Sequence, residues 1–238
     1  MPRKCILGVY AHPDDETSGM GGSIIRYVRE GVDVYVVAAT RGELGALGTG
    51  GMMISREELP KVREEELRGV LQSYGAHPPI MLDYRDQEVK EADFEELVGK
   101  VLAAMEQVRP DVVVTFGPLG ISRHDDHMAI HRATLEAFNR YRRSAGSALR
   151  LFYVAVHKEA GEQFELDLDG PDGQPNVFID IQEFKRLKLQ ALRSYRSQED
   201  AQWLADMWEN LPLADTETFH QAYPSLPDGE TLTGFWPE

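Results

Sequence analysis

Short apolar blocks alternate with segments of helical spacing along most of the chain. KCILGVY (4–10) is apolar enough for a strand buried on both faces, and DVYVVAAT (33–40), PIMLDY (79–84) and DVVVTF (111–116) repeat the pattern. LFYVAV (151–156) and NVFIDI (176–181) are further strands, separated by a polar loop rich in Gly, Pro and Asp. Between the strands, residues 18–31 set Ile24, Ile25 and Val28 on one helical face and end at Gly31. Helices are also predicted over about 61–74, 91–109, 127–143 and 183–198. Ser55 and Glu58 form an S-x-x-E capping box ahead of the first of these, with Pro60 breaking or kinking its start, and Pro110 halts the second. Residues 41–53 hold five glycines and no periodicity, which reads as a mobile loop. The last forty residues carry all three tryptophans and several prolines, and read as an irregular or helical wrap. Residues 1–238 are long enough for one full core, and one domain is expected.

Strands alternating with helices imply right-handed β-α-β units: an α/β fold with a mostly parallel sheet and helices on both faces. In such sheets ligands bind beyond the carboxyl ends of the strands, where the strand order reverses. With the order 3-2-1-4-5, strands 1 and 4 are neighbours at the reversal. The segments that follow those two strands are AHPDDE (11–16) and RHDDHMAIH (123–131), the two histidine- and carboxylate-rich stretches of the chain.

Composition narrows the function. Hydrophobic residues make up 42% and charged residues 27%, as in a soluble globular protein. The balance of 25 basic against 40 acidic residues gives a net charge of -15, which disfavours nucleic acid and anionic membranes as partners. No stretch approaches the about 20 apolar residues of a membrane span, and no targeting segment is visible, so a cytoplasmic location is expected. The single cysteine, Cys5, lies in the first apolar block; it reads as a small buried hydrophobe and suits a reducing compartment.

A strand followed by a glycine-rich turn also suggests a dinucleotide site. Gly19 and Gly21 supply half of G-x-G-x-x-G, but Ile24 holds the third glycine position, and Asp14, Asp15 and Glu16 would repel a pyrophosphate. The glycines then serve close packing of the first helix on the sheet. The same carboxylates are explained by a cation. His12 and Asp15, three apart in a turn, can face one point, and His127 can complete a His₂–Asp set with an open position, the pattern of catalytic zinc. Iron, manganese and cobalt also fit these ligand types. Such a metal brings the pKa of a bound water to about 7, and Asp14, beside the ligands, is the candidate general base. His124, just before the helix, can stabilise an oxyanion or protonate a leaving amine, with Asp126 orienting its ring. His131 shares a helical face with His127, but Met128 stands where H-E-x-x-H has its glutamate, which leaves His131 on the helix face or behind a ligand. Taken singly, each segment also has a plain reading, as a solvated turn or as an N-cap supplied by Asp14 or Asp15.

These residues resemble those of the LmbE-like or PIG-L-type zinc-dependent N-acetylglucosaminyl deacetylases of the bacillithiol/mycothiol-pathway type. AHPDDE stands unaltered at 11–16, and the second motif, G-HPDH-x-A-x-H, is matched by RHDDHMAIH (123–131). TRGE (40–43), an R-x-E-E at 63–66 and a tail motif K-x-x-A-L-x-x-H-x-S-Q at 188–198 extend the likeness. The resemblance implies a Rossmann-like fold and removal of an N-acetyl group from a small amino-sugar substrate. It makes His12, Asp15 and His127 the ligands of Zn2+, Asp14 the base, and His124 the oxyanion stabiliser or acid oriented by Asp126. It matches Arg63 to an arginine that binds sugar hydroxyls; from the residues alone Arg63 reads as an exposed helix charge. It also permits a homo-oligomer, trimer or hexamer. Two positions depart from the motifs: Asp125 replaces a proline and Tyr195 a histidine. The alternatives are a thiol-conjugate amidase or other metal-dependent amide hydrolase using the same site, and a non-enzymatic sugar- or nucleotide-binding protein. The sequence leaves the aglycone open among malate, inositol, a second sugar and a lipid-linked group.

Overall fold

The computed structural model describes residues 4–145 and 149–236, so the ends of the expected 1–238 domain lie outside the described residues. Among the described residues, seven strands form one sheet in the order β3-β2-β1-β4-β5-β7-β6, with β6 spanning Val177–Asp180 and β7 Thr216–Tyr223. β1 (Cys5–Tyr10), β2 (Asp33–Ala38), β3 (Ile80–Met81), β4 (Val112–Phe116) and β5 (Arg150–Val154) run parallel, with Ile6 opposite Val34 on one side and Val112 on the other. Every residue of β1 and β4 is buried, which is why both read as unbroken apolar runs. The expected order 3-2-1-4-5, with its reversal between strands 1 and 4, is therefore observed.

α1 (Asp15–Arg29) joins β1 to β2 and α2 (Leu59–Tyr74) joins β2 to β3. α3 (Phe94–Val108) leads from β3 to β4; the short α4 (Gly120–Arg123) and the long α5 (Asp125–Ala145) lead to β5. The first two connections step across the sheet one way and the later ones the other, so right-handed crossovers put them on opposite faces. Accordingly α3 packs on α5, and α1 on α2 and α7 (Lys185–Ser194), which follows the short α6 (Lys158–Gln163). Gly22 is needed for α1 to approach: a Cβ there would lie 2.6 Å from the Ile181 side chain. No helix among the described residues is long and apolar enough to cross a membrane.

The capping box forms one turn before α2, with Ser55 N–H on Glu58 Oε2 at 3.1 Å and Glu58 N–H on Ser55 Oγ at 3.3 Å, and Pro60 sits in the first helical turn. The strand expected over 79–84 shrinks to Ile80–Met81 at the sheet edge.

The last forty residues depart most from expectation. They contain α8 (Glu199–Glu209) and an eight-residue strand, β7 (Thr216–Tyr223), which runs antiparallel between β5 and β6 (Val177–Asp180). The inward positions of β7 are Glu217, Phe219 and Gln221; two of the three are polar, which erases the alternation that marks a strand. Their polarity has a partner inside. α1 breaks at Met20 (φ -149°, ψ 21°), which frees backbone groups on either side. Glu217 accepts the N–H groups of Gly22 (2.8 Å) and Ser23 (2.7 Å), and Lys188, paired to Glu217 at 2.7 Å, donates to the Ser18 carbonyl at 2.9 Å. Phe235, fully buried, then stacks on Tyr27 and packs against Phe152 and Phe219, so the terminal segment does lie over the sheet.

Candidate metal centre and active site

The histidine segments meet as the topology requires. The His12 N–H donates to Asp15 Oδ2 at 2.7 Å, which closes the turn after β1 and turns both side chains toward one point. From the start of α5, beyond β4, His127 arrives with its ring stacked on Phe116 at 3.9 Å between centroids. His127 Nε2 lies 3.4 Å from Asp15 Oδ1 and 3.3 Å from His12 Nδ1; His12 Nδ1 lies 3.4 Å from Asp15 Oδ2. The donor atoms of His12, Asp15 and His127 all fall within 4.8 Å of one another.

Hydrogen bonds on the far side of each ring fix the tautomers. His127 Nδ1 faces the Gly120 carbonyl at 3.0 Å, which can only accept, so the proton is on Nδ1 and the lone pair on Nε2. His12 Nε2 faces two carboxylates, Asp86 at 3.1 Å and Asp126 at 3.2 Å, which puts its proton on Nε2 and its lone pair on Nδ1. The neutral rings therefore aim two lone pairs at each other across 3.3 Å, with the Asp15 carboxylate beside them. Only a proton or a metal ion makes that arrangement favourable. The titration behaviour agrees: burial opposes charge on His12, but its bonds to Asp126, Asp15 and Asp86 outweigh burial and hold its pKa well above the ordinary value. Burial likewise opposes charge on Asp15, and the two histidines overcome it and lower the pKa. A His₂–Asp set with His12 and Asp15 buried and His127 partly so, aiming its lone pairs at one point, with each ring nitrogen on the other side already hydrogen-bonded, fits a divalent cation.

Asp14 stands beside this set in a left-handed conformation (φ 95°, ψ -26°). It makes no side-chain cap to α1, which removes the N-cap reading. Its N–H donates to Glu16 Oε2 at 3.1 Å, and Arg63 Nη2 binds its Oδ2 at 2.9 Å. Burial raises the Asp14 pKa well above the usual carboxylate range, with Arg63 opposing. Arg63 is itself only 4% exposed and also donates to Pro13 O at 2.6 Å and Gly42 O at 3.1 Å. The reading of Arg63 as an exposed charge is thus overturned: it is a buried clamp between α2, the base candidate and the glycine-rich loop.

His124 lies with its ring centroid 4.8 Å from those of His12 and His127. Burial, then the two neighbouring imidazoles, lower its pKa. Its Nδ1 accepts the Asp126 backbone N–H at 3.2 Å, so the neutral ring carries its proton on Nε2. The expectation that the Asp126 carboxylate orients His124 is corrected here. That carboxylate is fully buried and accepts from His12 Nε2, from Gln87 N–H at 2.7 Å and from Val89 N–H at 3.1 Å; only the Asp126 backbone reaches His124. The reason is geometric: at the first turn of α5 the Asp126 side chain points inward, toward the ends of β1 and β3. His131 points away from the set, its Nδ1 on the Phe116 carbonyl at 2.9 Å, as expected for a helix-face residue.

Asp86 escaped the sequence reading. It follows the two-residue β3, is 4% exposed, and joins His12 to the Leu44 N–H at 3.0 Å. The signal was its position: an acid leaving the same sheet end as the histidine segments. Both motif departures are accommodated. Asp125 pairs with Lys90 at 2.5 Å at the surface, and the buried Tyr195 hydroxyl donates to Glu16 Oε1 at 2.6 Å. The rest of the tail motif ties down the 41–53 loop read as mobile: Gln198 bonds Ala46 N–H and carbonyl, both at 3.3 Å, and the Ser197 carbonyl accepts the Gly48 N–H at 3.2 Å. The Ser197 N–H and hydroxyl in turn donate to Glu66 of α2.

A Rossmann-like sheet with a His₂–Asp set at its topological reversal defines a class of metal-site α/β proteins, and comparison with known proteins narrows it. The chain belongs to the PIG-L family: the family model described as GlcNAc-PI de-N-acetylase matches residues 7–138. It is similar to the probable N-acetyl-alpha-D-glucosaminyl L-malate deacetylase 2 of Bacillus subtilis (strain 168), 30% identical over 206 residues that cover 87% of this chain and 88% of the relative. It is also similar to the 1D-myo-inositol 2-acetamido-2-deoxy-alpha-D-glucopyranoside deacetylase of Mycobacterium sp. (strain JLS), 34% identical over 196 residues, 74% of this chain and 62% of the relative. The N,N'-diacetylchitobiose deacetylase from Pyrococcus horikoshii shares the fold, with a TM-score of 0.71 and 24% identity over 92% of this chain and 84% of that one.

Proposed function

We propose that this protein is a zinc-dependent hydrolase that removes the N-acetyl group from an N-acetylglucosamine derivative, giving acetate and a free amino sugar. The observation that carries the reading is the pair of lone pairs, His12 Nδ1 and His127 Nε2, converging beside Asp15. Membership of the family and the activities named for its relatives support the substrate class.

His12, Asp15 and His127 would hold the cation, which when bound acidifies water and polarises the substrate carbonyl. Arg63 occupies Asp14 Oδ2, so Oδ1 is the oxygen that takes the proton from the attacking water. As charge builds on the acetyl oxygen, the Nε2–H of neutral His124 donates to it; an imidazolium is not required. Asp14 then returns its proton to the nitrogen as the C–N bond breaks, which balances one water and one amide against one acetic acid and one amine; the acid's remaining proton passes to the amine, so the products leave as acetate and an ammonium. Asp126 and Asp86 keep the His12 proton on Nε2 throughout. Arg63 holds Asp14 and, as the resemblance implies, meets sugar hydroxyls.

The test is acetate release from N-acetylglucosaminyl malate, N-acetylglucosaminyl inositol and diacetylchitobiose, before and after chelation, with zinc, cobalt or manganese restored separately. Release that chelation abolishes and zinc restores is expected for at least one substrate. Activity indifferent to chelation, or hydrolysis confined to a cysteinyl amide, would overturn the reading.

A further inference from the structure

The His127 tautomer depends on one carbonyl, that of Gly120, and this carbonyl sits on contorted backbone. Gly120 (φ 62°), Ile121 (φ 63°, ψ -56°) and Arg123 (φ 58°) all occupy the positive-φ region. For a β-branched residue such as Ile121 this is a true outlier, and it persists only where surrounding contacts impose it. A Cβ at position 120 would stand 2.6 Å from the His127 Cβ, so the loop lies tight against the histidine.

The contacts that impose this shape come from Asp172, a residue in no motif, in the turn 170–173 beyond β5. Its side chain is fully buried. Oδ2 accepts the Leu119 N–H at 3.1 Å and Oδ1 accepts the Ile121 N–H at 3.2 Å, one on each side of Gly120. The Asp172 carbonyl accepts the Val156 N–H at 2.8 Å, which anchors the turn to the chain leaving β5. A methyl group at Gly117 would lie 2.4 Å from Oδ2, so the loop is shaped around this carboxylate.

We propose that Asp172 is a positioning residue of the metal centre. By holding the amides of Leu119 and Ile121 it keeps the Gly120 carbonyl on His127 Nδ1 and so directs the Nε2 lone pair to the cation position. The inference rests on the reading of His127 as a ligand. Partners that orient a metal-binding histidine typically change metal affinity by about 10- to 100-fold when removed.

The experiment compares wild type with Asp172→Asn, which keeps the shape but turns an NH₂ toward one of the two amides. Metal-free proteins are titrated with zinc against a chromophoric chelator near neutral pH, their thermal midpoints are recorded, and ¹⁵N-histidine spectra report the His127 tautomer. A zinc Kd raised about 10- to 100-fold is expected, with the hydrogen-bonded His127 Nδ1–H signal weakened. Gly117→Ala, which displaces the carboxylate without changing charge, should lose affinity in the same direction, and it carries the test if the Asn variant does not fold. A variant that melts earlier but binds zinc as wild type does would overturn the proposal, because Asp172 would then only stabilise a loop. Should wild type itself take up no zinc, the metal reading of the site fails instead. The spectra of the metal-free proteins then decide: an unchanged His127 tautomer in Asp172→Asn refutes the inference, and a redistributed one sustains it.

Discussion

Replacing Glu217 by Gln tests whether the break in α1 is held by a buried ion pair. The carboxylate receives three donors: Gly22 N–H, Ser23 N–H and the Lys188 ammonium. A glutamine offers one acceptor oxygen and an NH₂, so one backbone amide faces a donor and Lys188 loses its counter-charge. The side chains of Lys188 and Glu217 are 6% and 3% exposed, so water does not replace what is lost. A hydrogen bond to a charged group contributes about 1.5–3 kcal/mol, and removing one partner of a buried pair costs about 3–5 kcal/mol in total. At about 2–4 °C per kcal/mol for a chain of this size, the midpoint should fall by roughly 6–20 °C. Urea and thermal denaturation of metal-free Glu217→Gln, Lys188→Met and the double variant form the cycle. The double variant should be more stable than the sum of the singles implies, since neither charge is left alone. A loss under about 1 kcal/mol in Glu217→Gln, or strict additivity, would refute the argument.

Asp14→Asn should keep one zinc per chain while turnover drops by about 10²- to 10⁴-fold; wild-type turnover would remove Asp14 from the proton-accepting role. Tyr195→Phe takes one of the donors from the buried Glu16 carboxylate and should destabilise by about 1–3 kcal/mol in chemical denaturation, a neutral effect counting against the network. Burial first, then Asp111 and Asp33, push the Cys5 thiol up to about 12. A raised acid stays neutral in the native state while the unfolded chain ionises near about 8.5, so this contribution is whole below that pH and is lost as pH climbs toward the native value. A thiol reagent at about pH 8 should therefore label the unfolded chain and spare the native one, and rapid native labelling would contradict the burial.

Much of the proposed metal set is legible in the sequence because its parts are local. His12 and Asp15 are joined by one turn, and His127 lies in the first turn of α5, a short segment beyond a strand whose apolar run marks it as central. Unbroken apolar runs mark β1 and β4 as interior strands, and the strand order 3-2-1-4-5, supposed from the sequence and found in the sheet, places their ends together. The tertiary structure decided the rest. Asp86 and Asp172 are single acids in polar loops, indistinguishable from solvated ones until the fold shows which imidazole or amide they meet. Arg63 looks like any helix-surface arginine until α2 docks and buries it on Asp14. β7 hid because its inward face carries Glu217 and Gln221, and polarity inside a sheet makes sense only once the broken helix it serves is in place. Periodicity encodes which side of an element meets apolar surroundings; it is silent on which lone polar group will satisfy another, because that pairing exists only after distant segments have packed.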